Sequence, residues 1–108
     1  MQENGTLEEN ELTELAVKFP KFTTATFEDE DGVLVTVYLK KMERGIYVGA
    51  DNLLSKKDSL TAGEFLLKNL WIGGYDKTKI IDSLESLKNC TQTILPLLFA
   101  KSGELKKN

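Results

Sequence analysis

The strongest constraint on the fold is a pair of strand-like runs around an acidic turn, in residues 22–40, FTTATFEDEDGVLVTVYLK. Threonine, valine and aromatic residues crowd both runs, and Asp31-Gly32 between them is typical of a β-hairpin turn that needs positive φ angles. Four aliphatic residues share one face of the second run, because side chains alternate along a strand: Val33, Val35, Val37 and Leu39. We expect this aliphatic face to be the buried one.

A short helix precedes the hairpin. Thr6 and Glu9 have the spacing of a capping box, and apolar residues recur every three or four positions as far as about Lys18. Pro20 cannot donate a backbone hydrogen bond, so the helix must stop before it. The sequence leaves open whether this N-terminal segment, residues 1–20, packs on the domain or extends as an arm.

Helical periodicity returns after the hairpin. An apolar stripe from Met42 to Leu54 predicts one helix. Thr61 to Glu64 has the form of a second capping box, and the helix that follows it is apolar around more than one face, which predicts a central place in the core. Gly73 is the natural left-handed residue to end that helix, with Asp76 as the cap of the next one.

The last apolar segment predicts a long helix that begins near Ile80 and runs to Leu98. A proline inside a helix removes one hydrogen bond and clashes with a carbonyl, so Pro96 predicts a kink or a break near residues 92–95. Residues 102–108 look like a frayed tail. Together these patterns predict a single α+β domain over residues 1–108, with one hairpin packed against three following helices and an additional short N-terminal helix.

Charge and hydropathy limit the classes of partner that the chain can be expected to bind. The 14 Lys and Arg residues and the 17 Asp and Glu residues give a formal charge of −3, which offers no general attraction to nucleic acid or an anionic membrane. The N-terminus lacks the basic start and apolar run of a signal peptide, and no apolar stretch approaches the roughly 18 residues needed to cross a bilayer. We therefore expect a soluble cytoplasmic protein without nucleic acid or membrane partners.

The residue types of this sequence give little indication of a catalytic, metal-binding or cofactor-binding site. Cys90 is the only cysteine and there is no histidine, which excludes zinc sites of the Cys/His type and the usual partner of a cysteine nucleophile. A calcium loop with Asp31-Gly32 at its fifth and sixth positions would put Tyr38 at the twelfth, which requires an acid, and Lys77 lacks the glycine that precedes the lysine of a phosphate-binding loop. An enzyme using Asp29, Asp31 or Asp76 stays as a minor alternative, and we expect no catalytic, metal-binding or cofactor-binding residues.

One segment carries a resemblance to a known family. Residues 65–74, FLLKNLWIGG, are similar to an apolar helix ending in Asn-Cys-Trp-Leu-Gly-Gly, and Val37 to Lys41 resemble a strand that precedes a helix in the same family. The likeness runs from about Phe22 to Phe99 and is to small phage and prophage proteins of the tail assembly chaperone type. Leu70 stands where that pattern has cysteine, and Tyr75 separates the glycines from the acidic residue.

The resemblance implies a non-enzymatic protein of the host cell cytoplasm, without cofactors, that binds tape-measure and tail-tube proteins during tail assembly. In this sequence apolar residues are dense near the predicted helix ends. They suggest a set of partner-binding residues: Leu66, Trp71, Ile72, Leu95, Leu98 and Phe99. Trp71 could equally be a core residue. The alternative function is a small adaptor or regulatory module, of a bacterium or mobile element, that binds another protein through the exposed edge of the hairpin.

Overall fold

The computed structural model describes residues 2–99, in which five helices accompany a three-stranded antiparallel sheet of order β1-β2-β3. The elements in chain order are α1 Glu9–Lys18, β1 Thr23–Glu28, β2 Leu34–Leu39, α2 Arg44–Ser55, α3 Ser59–Leu70, β3 Trp71–Gly74, α4 Lys77–Ile81 and α5 Leu84–Phe99. The predicted α+β class is confirmed. The sheet has one strand more than the predicted hairpin, and the predicted frayed tail at 102–108 lies outside the described residues.

The hairpin of β1 and β2 is confirmed, with Thr23 opposite Leu39 at one end and Glu28 opposite Leu34 at the other. Its turn differs from the predicted one, because Gly32 (φ 78°) is left-handed but Asp31 is not. Two backbone bonds close a three-residue loop: Gly32 N–H donates to the Asp29 carbonyl at 3.0 Å, and Asp29 N–H donates to the Val33 carbonyl at 2.9 Å. The Asp29 carboxylate accepts two further backbone N–H bonds inside the loop.

The aliphatic face of β2 is buried as predicted at Val35, Val37 and Leu39. Val33 is an exception, with 53% of its surface exposed, because it belongs to the turn. The buried residues meet Leu66, Leu67 and Leu70 of α3 and the inner side of α5, so the core lies between the sheet and these two helices.

The opposite face of β2 is also buried at Thr36 and Tyr38, which the alternation did not predict. The segment before α1 covers it. Thr36 N–H donates to the Asn4 carbonyl at 2.8 Å, and Leu7 N–H donates to the Tyr38 hydroxyl at 3.2 Å. The N-terminal segment is therefore tied to the sheet, whereas α1 itself buries none of its residues.

Two predicted helix starts are wrong by a few residues. The capping box of α1 uses Glu8 and Glu11, whose carboxylate accepts the Glu8 N–H at 2.8 Å, and this bond lowers the pKa of Glu11. Thr6 N–H is instead bonded to the Asn4 side chain, within the turn that docks on the sheet. Helix α3 begins after Asp58, whose carboxylate accepts the Thr61 N–H at 3.2 Å. In both helices an acidic residue takes the cap in place of the predicted threonine.

The double glycine does not end α3 as predicted. That helix stops at Leu70, and Trp71–Gly74 form the strand β3 antiparallel to β2. Gly73 has no positive φ, and the left-handed residue is Gly74 at φ 102°. The pattern of an apolar helix followed by glycines gives no sign of this strand, because its hydrogen-bonding partner lies more than thirty residues earlier in the chain. Asp76 caps the next helix, α4, as predicted.

The predicted long C-terminal helix is two helices, and their boundary is not at Pro96. The chain leaves α4 at Asp82, and α5 continues unbroken through Pro96 to Phe99, so of the predicted kink or break near 92–95 the break is wrong. The Ser83 hydroxyl accepts the Ser86 N–H at 3.2 Å and donates to the Glu30 carboxylate at 2.9 Å. Ser83 therefore starts α5 and joins it to the hairpin loop, and Leu84, the first residue of α5, is exposed.

Candidate functional site

Trp71, Ile72 and Tyr75 form a half-buried surface where β3 leaves α3, which we name the corner. Trp71 lies opposite Leu39 of β2 and packs against the core. Its indole N–H donates to the Tyr75 carbonyl at 2.9 Å, and the Lys77 ammonium lies 5.4 Å from the ring centroid. The tryptophan ring is therefore fixed in place while part of its surface stays exposed.

Ile72 lies at an irregularity of the sheet. Tyr38 pairs with Gly73 and Leu39 pairs with Trp71, so Ile72 has no partner in the register. A bulge of this kind bends the strand and turns the extra side chain out of the regular alternation. Ile72 is half-buried like its neighbour Trp71, so both apolar residues at the start of β3 keep part of their surface exposed.

Beside the corner, the backbone at Gly5 and the backbone at Gly74 and Tyr75 both lie close to Thr36. The Thr36 carbonyl accepts the Tyr75 N–H at 2.8 Å, and a Cβ at Gly74 would lie 2.5 Å from the same oxygen. Gly5 is confined in the same way, since a Cβ there would overlap that carbonyl oxygen. Only glycine fits at Gly5 and Gly74, and this contact holds the corner rigid against the sheet.

Leu66 is not part of this surface. Its side chain is 0% exposed and belongs to the central cluster of α3, so in the folded chain it cannot contact a partner. The sequence assigned it to the partner-binding set because apolar residues are dense near the end of α3. Leu66 belongs to the buried cluster that joins residues of the sheet, α2, α3 and α5, and this packing decides its burial.

The remaining predicted residues lie at the end of α5. Leu95, Leu98 and Phe99 are half-buried against the core, and the Phe99 ring stacks on Tyr47 of α2 with centroids 5.2 Å apart. Leu98 lines a cleft together with Met42 and Tyr47. None of the corner residues lines this cleft, so the predicted partner-binding residues do not form one site.

This cleft, which sequence reasoning missed, consists of two adjoining depressions of about 500 and 390 Å³ that share Lys21, Lys41 and Glu43. Basic side chains from separate parts of the chain line it: Lys18, Lys21, Lys40, Lys41 and Arg44. We call it the basic cleft. The closely spaced Lys40, Lys41 and Arg44 were the one local signal that could have indicated it.

Three of the groups considered for catalysis, Cys90, Asp29 and Asp76, are buried or have structural hydrogen bonds. Cys90 is fully buried on α5, and burial raises the pKa of its thiol to about 12, which keeps it protonated and unreactive. The Asp29 carboxylate accepts backbone bonds in the hairpin loop, and the Asp76 carboxylate caps α4. Over residues 2–99 no three His, Cys, Asp or Glu side chains are grouped so that they could hold a metal ion.

Comparison of the chain with known protein families, with curated proteins and with solved structures gives no match. None of the helices in the part of the chain that the structure describes is long and apolar enough to cross a membrane. The function therefore has to be argued from the corner, the α5 end and the basic cleft.

Proposed function

We propose that this chain is a non-enzymatic protein-binding module of the tail assembly chaperone type, which holds tape-measure protein and tail-tube subunits while a long phage tail is built in the host cytoplasm. The observation that carries the proposal is the state of Trp71, half-exposed and yet fixed by its hydrogen bond to Tyr75. Aromatic anchors held in one rotamer bind partners at a low entropic cost and dominate binding energy at protein interfaces. The similarity of residues 65–74 to the chaperone pattern supports the same assignment.

Two apolar surfaces would make the contact. Trp71 and Ile72 offer one at the corner, and Leu95, Leu98 and Phe99 offer the other at the end of α5. A tape-measure protein is a long and largely helical chain whose apolar stripe tends to aggregate until the tail tube encloses it. Half-buried apolar side chains on a rigid domain can cover such a stripe by helix-in-groove packing.

Pull-down of tail proteins tests the proposal directly. The tagged chain is expressed together with the tail genes of its own phage or prophage, and captured proteins are identified by mass spectrometry. We expect the tape-measure or the tail-tube protein to be recovered, and recovery to be lost on Trp71→Ala.

A matched control separates binding from folding. Phe65 is also aromatic and half-buried, but it packs on Gly49 of α2, away from the corner. Phe65→Ala should lower the stability about as much as Trp71→Ala does, but it should still capture the tail protein. Capture that survives Trp71→Ala, or the failure of the parent protein to recover either tail protein, would overturn the proposal.

The position of β1 favours one second candidate, a small adaptor or regulatory module of a bacterium or mobile element. β1 is an outer strand of the sheet, and outer strands can pair with an extended segment of another chain. Thr24 is exposed on this strand. A partner that is still captured by Trp71→Ala but lost on Thr24→Lys would favour this function, and a gene position among metabolic genes would point the same way.

A further inference from the structure

We propose that the basic cleft binds an acidic protein segment that carries apolar side chains. The inference rests on the proposed function, since it names the chemistry of the partner segment that this end of the molecule takes. Charge is its first support. Five of the 14 basic residues of an acidic chain line the two depressions, against Glu43 as the one acidic lining residue. Within residues 2–99 none of the five makes an ion pair, so their charge is available to a ligand.

Apolar walls are the second support. The larger depression is lined by Met42, Tyr47, Leu97 and Leu98, and the smaller one by Phe19 and Pro20. Stacking on Phe99 fixes the Tyr47 ring. A cleft with an apolar interior and a basic rim is complementary to a segment that presents apolar side chains between carboxylates.

The apolar interior argues for protein as the occupant and against nucleic acid. A phosphate backbone would use the lysines but would leave Met42, Leu97 and Leu98 without apolar contacts, and Phe99 already occupies one face of the Tyr47 ring. The chain's own C-terminal residues are a poor occupant on charge, since residues 100–108 contain three lysines and one glutamate.

The start of α2, which follows the N-cap residue Glu43, indicates that the charge of Arg44 does not stabilise the fold. Arg44 is the first residue of α2, and the first turn of that helix contains no acidic residue. A cation at a helix N-terminus opposes the macrodipole, so acidic residues are normally favoured there. Replacement of Arg44 by glutamate should therefore keep or improve the stability of the fold while it removes charge from the cleft.

Calorimetric titration with a synthetic probe tests the cleft. The probe is an amphipathic peptide with leucine on one helical face and glutamate on the other, and a second peptide has lysine in place of every glutamate. We expect the glutamate peptide to bind, with an affinity that falls as salt is added, and the lysine peptide not to bind.

Charge reversal locates the site. The double variant Lys41→Glu/Arg44→Glu should weaken binding of the glutamate peptide by about tenfold or more, with an unfolding midpoint no lower than that of the parent. Lys56→Glu/Lys88→Glu changes the net charge equally at two exposed positions outside the cleft and should bind as the parent does. Equal binding by both double variants would overturn the proposal.

Two other occupants of the basic cleft, nucleic acid and a second copy of the chain, would give different experimental results. Tighter binding of single-stranded DNA than of the glutamate peptide would assign the cleft to nucleic acid and overturn the proposal. A concentration-dependent dimer that dissociates on Lys41→Glu/Arg44→Glu would assign it to the acidic α1 of a second copy, with the same consequence. Sedimentation of the parent and the variant distinguishes these results.

The pull-down separates this proposal from the chaperone assignment. Tape-measure protein captured undiminished by Lys41→Glu/Arg44→Glu would leave the chaperone function standing and refute the role of the cleft. Peptide binding that maps to the cleft, without capture of any tail protein, would support the cleft and refute the chaperone function.

Discussion

The indole N–H of Trp71 donates a 2.9 Å hydrogen bond to the main-chain carbonyl of Tyr75, four residues further along the chain. This bond spans the double glycine and holds the tryptophan ring in place. It joins the local backbone of β3 to the surface that we propose as the binding corner.

Trp71→Phe should isolate the contribution of this bond. The phenyl ring keeps most of the apolar contact but cannot donate, so the free energy of unfolding should fall by about 1 kcal/mol. Trp71→Ala also removes the apolar contact and should cost about 2 kcal/mol or more. Urea unfolding of the three proteins measures both steps, and equal stabilities for Trp71→Phe and the parent would show that the bond contributes nothing.

The two glycines of β3 should respond differently to alanine. Gly74 has a left-handed φ of 102° and no room for a Cβ beside the Thr36 carbonyl, so Gly74→Ala should lower the free energy of unfolding by at least about 2 kcal/mol. A Cβ at Gly73 would meet only Leu7 Cδ1, at 3.9 Å, and Gly73→Ala should stay within about 0.5 kcal/mol of the parent. Thermal unfolding checks the pair, and similar losses for both variants would contradict this account of the corner.

Helices α3 and α5 are in close contact where Gly63 faces Thr91. A Cβ at Gly63 would overlap the Thr91 hydroxyl oxygen, so Gly63→Ala should cost about 2 kcal/mol although alanine favours a helix. In a Thr91→Ala background the same change should cost about 1 kcal/mol less, which a double-mutant cycle by chemical denaturation measures.

Gly45 is the matched control for this contact. It lies in α2, and a Cβ added there would meet no atom within 4 Å, so Gly45→Ala should stabilise the protein by about 0.5 to 1 kcal/mol. A loss at Gly45 comparable to that at Gly63 would show that backbone effects, and not the close helix contact, govern both substitutions.

Cys90 should make the stability depend on alkaline pH. The buried thiol has a pKa of about 12 against 9.0 for the free group, so between these values the unfolded chain releases a proton that the folded chain retains. The free energy of unfolding should therefore fall as the pH rises above about 9, by up to about 1.4 kcal/mol per pH unit.

Urea unfolding of the parent and of Cys90→Ala at about pH 8 and about pH 10 checks this slope. Both proteins share the titration of lysine and tyrosine, so only the difference between them reports on the thiol. Cys90 should also resist thiol reagents until the chain unfolds, and rapid labelling of the native protein would contradict its burial.

The elements that the sequence predicted well are those whose determinants are local. Alternating β-branched residues on either side of an Asp-Gly turn define the β1–β2 hairpin within nineteen residues, 22–40, and the structure confirms it. Pro20 ends the first helix region for an equally local reason, and Asp76 caps α4 through its own neighbour two residues on.

The wrong predictions depended on contacts between distant segments. Trp71–Gly74 form a strand only because β2 offers hydrogen-bonding partners, and the Thr36 N–H is bonded to Asn4, which lies more than thirty residues earlier in the chain. The boundary between α4 and α5 lies at Ser83, where a side chain bonds to Glu30 of the hairpin loop. None of these relationships has a periodic signal in the sequence.

The sequence by itself determined the α+β class, the hairpin and the apolar faces that had to be buried, because backbone propensity and side-chain alternation act between near neighbours. Tertiary structure alone decided that Leu66 is core, that Trp71 is half-exposed, and that lysines from residues 18–21 and 40–41 share one cleft with Leu98. Burial and electrostatic complementarity depend on which surfaces meet, and that is settled only when distant elements pack.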